Sequence, residues 1–273
     1  MIGIVRAEWV KLRTTAVPWV LAGIAVVITG LLVLLYFINH GDNGGGPGGG
    51  GGQGSFNGNG FGYPLPDVPH TVQQLRNLIG SGLIGYIFAL LMGVLIITAE
   101  FRHKTVTTSF LVTPRRSTFV IAKLIMAALA GAVLAIVLVV ATVIGGGIAV
   151  AAKGGSFSDL LHQVPAVAPG MILVFVLMGL LGVGVGSLLT NQVAALIVAL
   201  GWFLIVENII GGIWNGTTRW LPSGAAMAAS SVSRGRSSDV TLFSWWQGSL
   251  LILAYGLVFA IVGSLVMTRR DIT

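Results

Sequence analysis

The chain contains no cysteine, which removes disulfide frameworks, thiolate metal sites and a thiol nucleophile from consideration. Charge is nearly as scarce: Asp, Glu, Lys and Arg together make up 8% of 273 residues, where soluble domains carry about a quarter. Histidine is limited to His40, His70, His103 and His162, all outside the long apolar runs, so no intramembrane His pair or His-rich metal site can be assembled. Glycine is abundant at 40 residues, yet no Gly-Lys-Ser/Thr phosphate loop occurs, and "GVGVG" at Gly182 to Gly186 has no Asp after it of the kind an aspartyl intramembrane protease needs. No nucleophile and base pair stands out, and an enzyme is not expected.

What the chain does have is hydrophobic residues, 55% of the total, with a mean hydropathy of +0.94. They form long runs, not amphipathic stripes, and a run of about 18 or more with few charges reads as a membrane span. Six runs qualify: Val17 to Ile38, Leu78 to Thr98, Val120 to Val150, Met171 to Leu189, Val193 to Ile213 and Gly248 to Met267. Backbone polar groups in lipid must be satisfied internally, and nothing alternates like a barrel strand, so the spans should be helices. The expected fold is an all-α integral membrane protein forming one transmembrane domain over residues 1–273, with a retained first span instead of a cleaved signal peptide.

The net charge of +7 fits membrane topology better than nucleic acid, because no soluble module offers a basic face. Of 15 Lys and Arg, ten (Arg6, Lys11, Arg13, Arg102, Lys104, Arg115, Arg116, Lys123, Arg269 and Arg270) fall on one side if the spans alternate. Arg76, Lys153, Arg219, Arg234 and Arg236 fall on the other, so the positive-inside rule puts both termini in the cytoplasm. Trp9 and Trp19 then lie at the inner interface, and Trp214, Trp220, Trp245 and Trp246 at the outer one.

Residues 40–70 hold "GDNGGGPGGGGGQGSFNGNGFGYPLPDVP", a low-complexity stretch read as an extracytoplasmic loop. Residues 1–16 read as a helix with Ile2, Val5, Trp9, Leu12 and Ala16 on one side and Arg6, Glu8, Lys11 and Arg13 elsewhere. Such a helix can lie in the inner headgroup layer with its basic side toward anionic lipid, or be an ordinary positive flank.

Residues 99–118 contain a charged window, "EFRHKTVTTSFLVTPRRS", between the second and third spans. Glu100, Arg102 and Lys104 come within one or two helical turns, and Pro114 stops any helix because its predecessor avoids the α region. A short helix at the membrane face, suited by Phe101 and Phe110 to a groove on another protein, is one reading; a solvated loop whose Arg115 and Arg116 set topology is the other.

The N-terminal "EWVKLRT" and "EFRHKTVTTSFLVTPRRS", in that order around the first two spans, resemble the ABC-2 type transporter permease family. Glu100, Phe101, Arg102, Thr105, Pro114 and Arg116 match its pattern, and "WFLIVENIIGGIWNGTTRWLPSGAAMAA" is similar to its fifth span and outer segment. The resemblance covers most of the chain except the Gly-rich loop. It implies that the charged window is a coupling helix seated in a separate ATP-binding subunit. The N-terminal helix, with Glu8, Lys11, Leu12 and Arg13, would contribute to that docking surface.

On this resemblance the chain binds no cofactor, ATP and Mg²⁺ belong to the partner, and a second copy of the chain completes an exporter in the bacterial plasma membrane. Polar groups are few in the spans, which points to an amphipathic or hydrophobic cargo, drug-like or lipid-like. The alternative is a non-transporting membrane anchor or regulator of an ATPase.

Two further positions attract attention. Glu207 is the only acid inside an expected span, and is either a translocation residue or a structural one bonded to a neighbour such as Arg219. Pro222 precedes the small-residue run "SGAAMAASS" within residues 214–246, a segment that in the resembled family dips back into the membrane and would serve as an exit gate; a plain surface loop through Ser230 to Asp239 is the other reading. Pairs such as Ser81 with Gly85 and Gly182 with Gly186 permit close helix approach, within the chain or between copies.

Overall fold

The computed structural model describes residues 2–39, 72–102, 116–152, 154–189, 191–214, 216–230 and 242–269, and among them every regular element is helical. Helix α1 (Ile2–Thr14) ends where Thr14 and Thr15 turn their hydroxyls back on the carbonyls of Val10 and Lys11, an i−4 bonding that competes with helix continuation. Helix α2 (Ala16–Asn39) follows at once, with Pro18 tolerated in its first turn, where its missing N–H has no helical partner to lose. Then come α3 (Val72–Gly80), a 3₁₀ turn over Ser81–Gly85, and α4 (Tyr86–Arg102), which together form the second membrane-length segment.

Helix α5 (Arg116–Ala152) is the long third span. It closes with the paired bonds Gly155 N–H to Val150 O and Gly154 N–H to Ala151 O, a Schellman arrangement. Gly154 sits at φ +77°, a conformation glycine enters without a Cβ penalty. Helix α6 (Phe157–Leu188) is next, then α7 (Gln192–Gly201), a π-helical turn over Trp202–Val206 and α8 (Glu207–Ile213). A 3₁₀ turn (Thr218–Trp220), the short α9 (Pro222–Ala229) and α10 (Trp245–Arg269) complete the order.

Six helical segments are long and apolar enough to cross a membrane: Ala16–Leu34, Leu75–Glu100, Ile121–Ala152, Phe157–Leu188, Gln192–Ile213 and Trp245–Gly263. The second and fourth are 72% and 67% buried, against about a fifth for the first, fifth and sixth, so α4 and α6 form the centre and the others the periphery. The outer faces carry exposed Val27, Leu34, Ile148, Ile197, Ile205 and Leu257, side chains that a lipid environment accepts and water would not.

The fourth span begins some fourteen residues earlier than the sequence reading placed it, at Phe157 and not Met171. Pro165 and Pro169 lie inside a continuous helix, and with Gly170 they made this segment look like a loop. Each proline deletes one backbone bond, a loss that burial of Leu160, Val167 and Met171 offsets. The second span likewise runs past Thr98 to Glu100, and its helix to Arg102.

Glycines on α6 set the spacing of the centre. Gly182 lies against the carbonyl of Leu90 on α4, Gly186 against Val94 and Ile97 of the same helix, and Gly179 against the Ala127 carbonyl of α5. The Gly182 and Gly186 pair is therefore occupied by packing within one chain. Gly85 faces Leu138 and Phe175, and Ser81 is buried with its hydroxyl on the Leu78 carbonyl. The Gly-rich residues 40–70 lie outside the described residues.

Candidate functional site: a buried ion cluster joining three helices

Helix α1 meets the bundle through Glu8 and Lys11, which with half-buried Leu12 are spaced i, i+3 and i+4 and hence share one face. Arg6, Trp9, Val10 and Arg13 are exposed on the rest of its surface. Trp9 of the apolar stripe is exposed, whereas Glu8, expected off that stripe in either reading of residues 1–16, is buried and Lys11 reaches across to the bundle from a largely exposed position. The reason is pairing: each finds an opposite charge on a neighbouring helix.

Four side chains make the cluster. Lys123 Nζ of α5 donates to Glu8 Oε2 at 2.5 Å and lies 2.7 Å from Glu100 Oε1 at the end of α4. Lys11 Nζ donates to Glu8 Oε1 at 2.9 Å and to Glu100 Oε1 at 3.3 Å. Two acids and two bases cancel, which is what makes burial of charge at this level tolerable. The side chains of Lys123 and Glu100 are only 2% and 5% exposed, whereas Lys11 is 57% exposed and closes the cluster on its outer side.

Burial works against ionisation of Glu8, but the charges and hydrogen bonds of Lys123 and Lys11 outweigh it and hold the carboxyl below its ordinary range. For Lys11 burial likewise opposes the charged form, and Glu8 with Glu100 overcome it and raise the ammonium above its usual value.

Sequence reasoning named Glu8, Lys11 and Glu100 but gave Lys123 only a topological role. The available signal was its position: a lone lysine inside an apolar run must find an acid, and Glu8 and Glu100 flank the same end of the spans. Leu12 is half-buried beside the cluster, and Arg13 is exposed, its carbonyl accepting from Trp19 Nε1 at 3.1 Å. Arg102 is exposed at the last turn of α4, whose backbone also includes Phe101, and Arg116 opens α5. Lys104, Thr105 and Pro114 lie outside the described residues, as does the remainder of the window from 103 to 115. Glu100 is thus neither in a solvated loop nor on a free-standing helix; it ends a span and is buried.

A second polar group lies at the far end of the fifth span. Ala195, Ala199, Phe203 and Glu207 are buried at a spacing of four, and the π turn that begins at Trp202 is the local winding that keeps this spacing pointing inward. Glu207 accepts from Trp202 Nε1 at 3.1 Å and from the Ser223 backbone N–H at 3.2 Å, one of the first amides of α9. Pro222 occupies the first turn of that helix and is buried with the whole small-residue run Gly224 to Ser230, so the segment is packed against the bundle and is not a surface loop as far as Ser230.

The Arg219 guanidinium lies over the rings of Trp220 and Phe243 at 5.8 and 5.7 Å, and Tyr255 donates to the Trp220 carbonyl at 2.9 Å. Glu207 thereby braces α9 against the fifth span. Among the described residues no three His, Cys, Asp or Glu side chains gather as metal ligands.

No family model, curated protein or solved structure matches this chain.

Proposed function

We propose that this chain is the membrane subunit of an ATP-driven exporter of the ABC-2 type, with ATP bound and hydrolysed by a separate subunit and two copies of the chain forming the path. The observation that carries the reading is the ion cluster. Glu100 and Lys123 stand at the two ends of the segment that holds the charged window, and Glu8 of α1 is bonded into the same group. A force applied by a partner to the window would therefore move α1, α4 and α5 together and not bend one loop.

The α4 and α5 helices are in turn packed against α6 through Gly182 and Gly179, with little room for independent sliding. Such a body suits rigid-body alternation driven by closure of an ATPase dimer. The lightly covered α2, α7 and α8 supply apolar surface for a second copy, and the scarcity of polar side chains along the spans favours an amphipathic or hydrophobic cargo. Under this reading the cluster faces the cytoplasm, Arg102 and the window contact the ATPase, and the α9 segment with Glu207 and Pro222 lies at the exit side.

The test is to purify the tagged full chain in mild detergent and identify what is retained. The reading expects a stoichiometric ABC ATPase with hydrolytic activity in the eluate; a stable chain that retains none would refute it. With the ATPase retained, ATP-dependent flux in proteoliposomes separates an exporter from an anchor.

A further inference from the structure

Helix α1 has a second face, opposite the one that enters the ion cluster. Arg6, Trp9, Val10 and Arg13 recur at i, i+3, i+4 and i+7. At about 100° per residue they stand across the helix axis from Glu8, Lys11 and Leu12. All four are exposed. The acids described at this end of the molecule, Glu8 and Glu100, are buried and held by Lys123 and Lys11. Among the described residues the outer surface here is therefore cationic, with no exposed carboxylate, and Arg102 adds to it from the last turn of α4.

What covers this face follows from where it sits. One residue, Thr15, separates α1 from α2, which opens the first span, the least buried of the six at 17%. Val17, Trp19 and Val20 are exposed on the first turns of α2. Trp19 Nε1 donates to the Arg13 carbonyl, so the outer face of α1 is continuous at Arg13 with the outer surface of the span. A helix at this level that shows Trp and Val between two arginines has the chemistry of the headgroup boundary. The ring and methyls meet the acyl edge, and each guanidinium reaches phosphate as a forked donor. We propose that the face of Arg6, Trp9, Val10 and Arg13 is a docking surface for anionic phospholipid. A zwitterionic head also carries phosphate, but its cation would meet only arginines, since no exposed carboxylate stands here to receive it. Arg13, which the family resemblance assigned to the ATPase surface, is thus committed to lipid. The inference rests on the membrane spans and not on the exporter reading. Lipid outside and ion pairs inside hold α1 from both sides.

The chain has no cysteine, so Val10→Cys gives a single attachment point for a small fluorophore on the full chain. It is reconstituted without any ATPase in phosphatidylcholine nanodiscs that carry an equal fraction of spin-labelled phosphatidylglycerol or spin-labelled phosphatidylcholine. Quenching by the two lipids gives their relative binding constant beside position 10. Phosphatidylglycerol should be favoured by at least about fivefold, the gain that one arginine at an anionic surface provides. Arg6→Gln with Arg13→Gln should bring the ratio close to one, with the melting temperature unchanged because neither residue belongs to the ion cluster. Arg6→Lys with Arg13→Lys should keep most of the preference, which a merely structural role for the arginines would not predict. Equal quenching by the two lipids, or a preference that survives the Gln pair, would overturn the assignment. So would the absence of quenching by either, which is the result expected if this face is reserved for an ATPase or a second copy of the chain.

Discussion

Lys123 is the residue on which the cluster depends. Its ammonium is within ion-pair distance of both Glu8 and Glu100 and almost wholly buried. Replacing it with Met leaves two carboxylates beside a single, half-exposed lysine, a loss of about 3–5 kcal/mol by comparison with other broken buried pairs. Lys11→Ala should cost no more than about 1 kcal/mol, because its side chain is 57% exposed and water can take its place. Thermal unfolding in detergent should separate the two variants clearly; equal melting temperatures would contradict the assignment of the central role to Lys123.

The pH response has a defined sign. The Glu8 carboxyl is held below its ordinary value of 4.5, so its contribution is full above that value and is lost as pH falls through the lower folded-state value. Lys11 is raised above 10.5, so its contribution is full below that value and is lost as pH rises beyond it. Docking of α1 should hold between these limits and loosen in acid first through Glu8, which protease accessibility of residues 2–14 would follow. Release of α1 near neutral pH would disprove the linkage. None of this pairing was legible from spacing. A hydrophobic stripe announces itself by periodicity, but a polar stripe buried by partners 89 and 115 residues away does not.

At the scale of elements, close contact on α6 matters more than the hydrophobicity of the runs. A Cβ at Gly182 would strike the Leu90 carbonyl, which backbone cannot yield cheaply. Gly182→Val should therefore destabilise the fold by at least about 1–3 kcal/mol, the usual cost of overpacking. By contrast, Gly23→Ala, where nothing lies within 4 Å, should leave the melting temperature unchanged or slightly raised.

All six spans were legible because length and hydropathy are enough to reveal a membrane helix. Their limits were less so. The prolines and glycine at 165–170 masked the first turns of α6, since breaker rules assume solvent on at least one side and here the neighbours bury the segment. The π turn at Trp202–Val206, which aims Glu207 inward, leaves no recognised mark in composition.

For the molecule as a whole, the centre is α4 and α6, and the ion cluster attaches α1 to that centre at one end. The Glu207 group braces the α9 segment at the far end of the fifth span. Such a body uses its buried charges as a clamp, while Arg102 on the last turn of α4 and Arg6 and Arg13 on α1 are exposed beyond it.

The most direct measurement is the amount of ATPase recovered with the tagged chain, wild type against Arg102→Glu, at matched membrane insertion. Near-equimolar recovery is expected with the wild type and a loss of at least about tenfold with the variant, equivalent to roughly 1.4 kcal/mol. Equal recovery with both, or none with the wild type, would contradict this expectation.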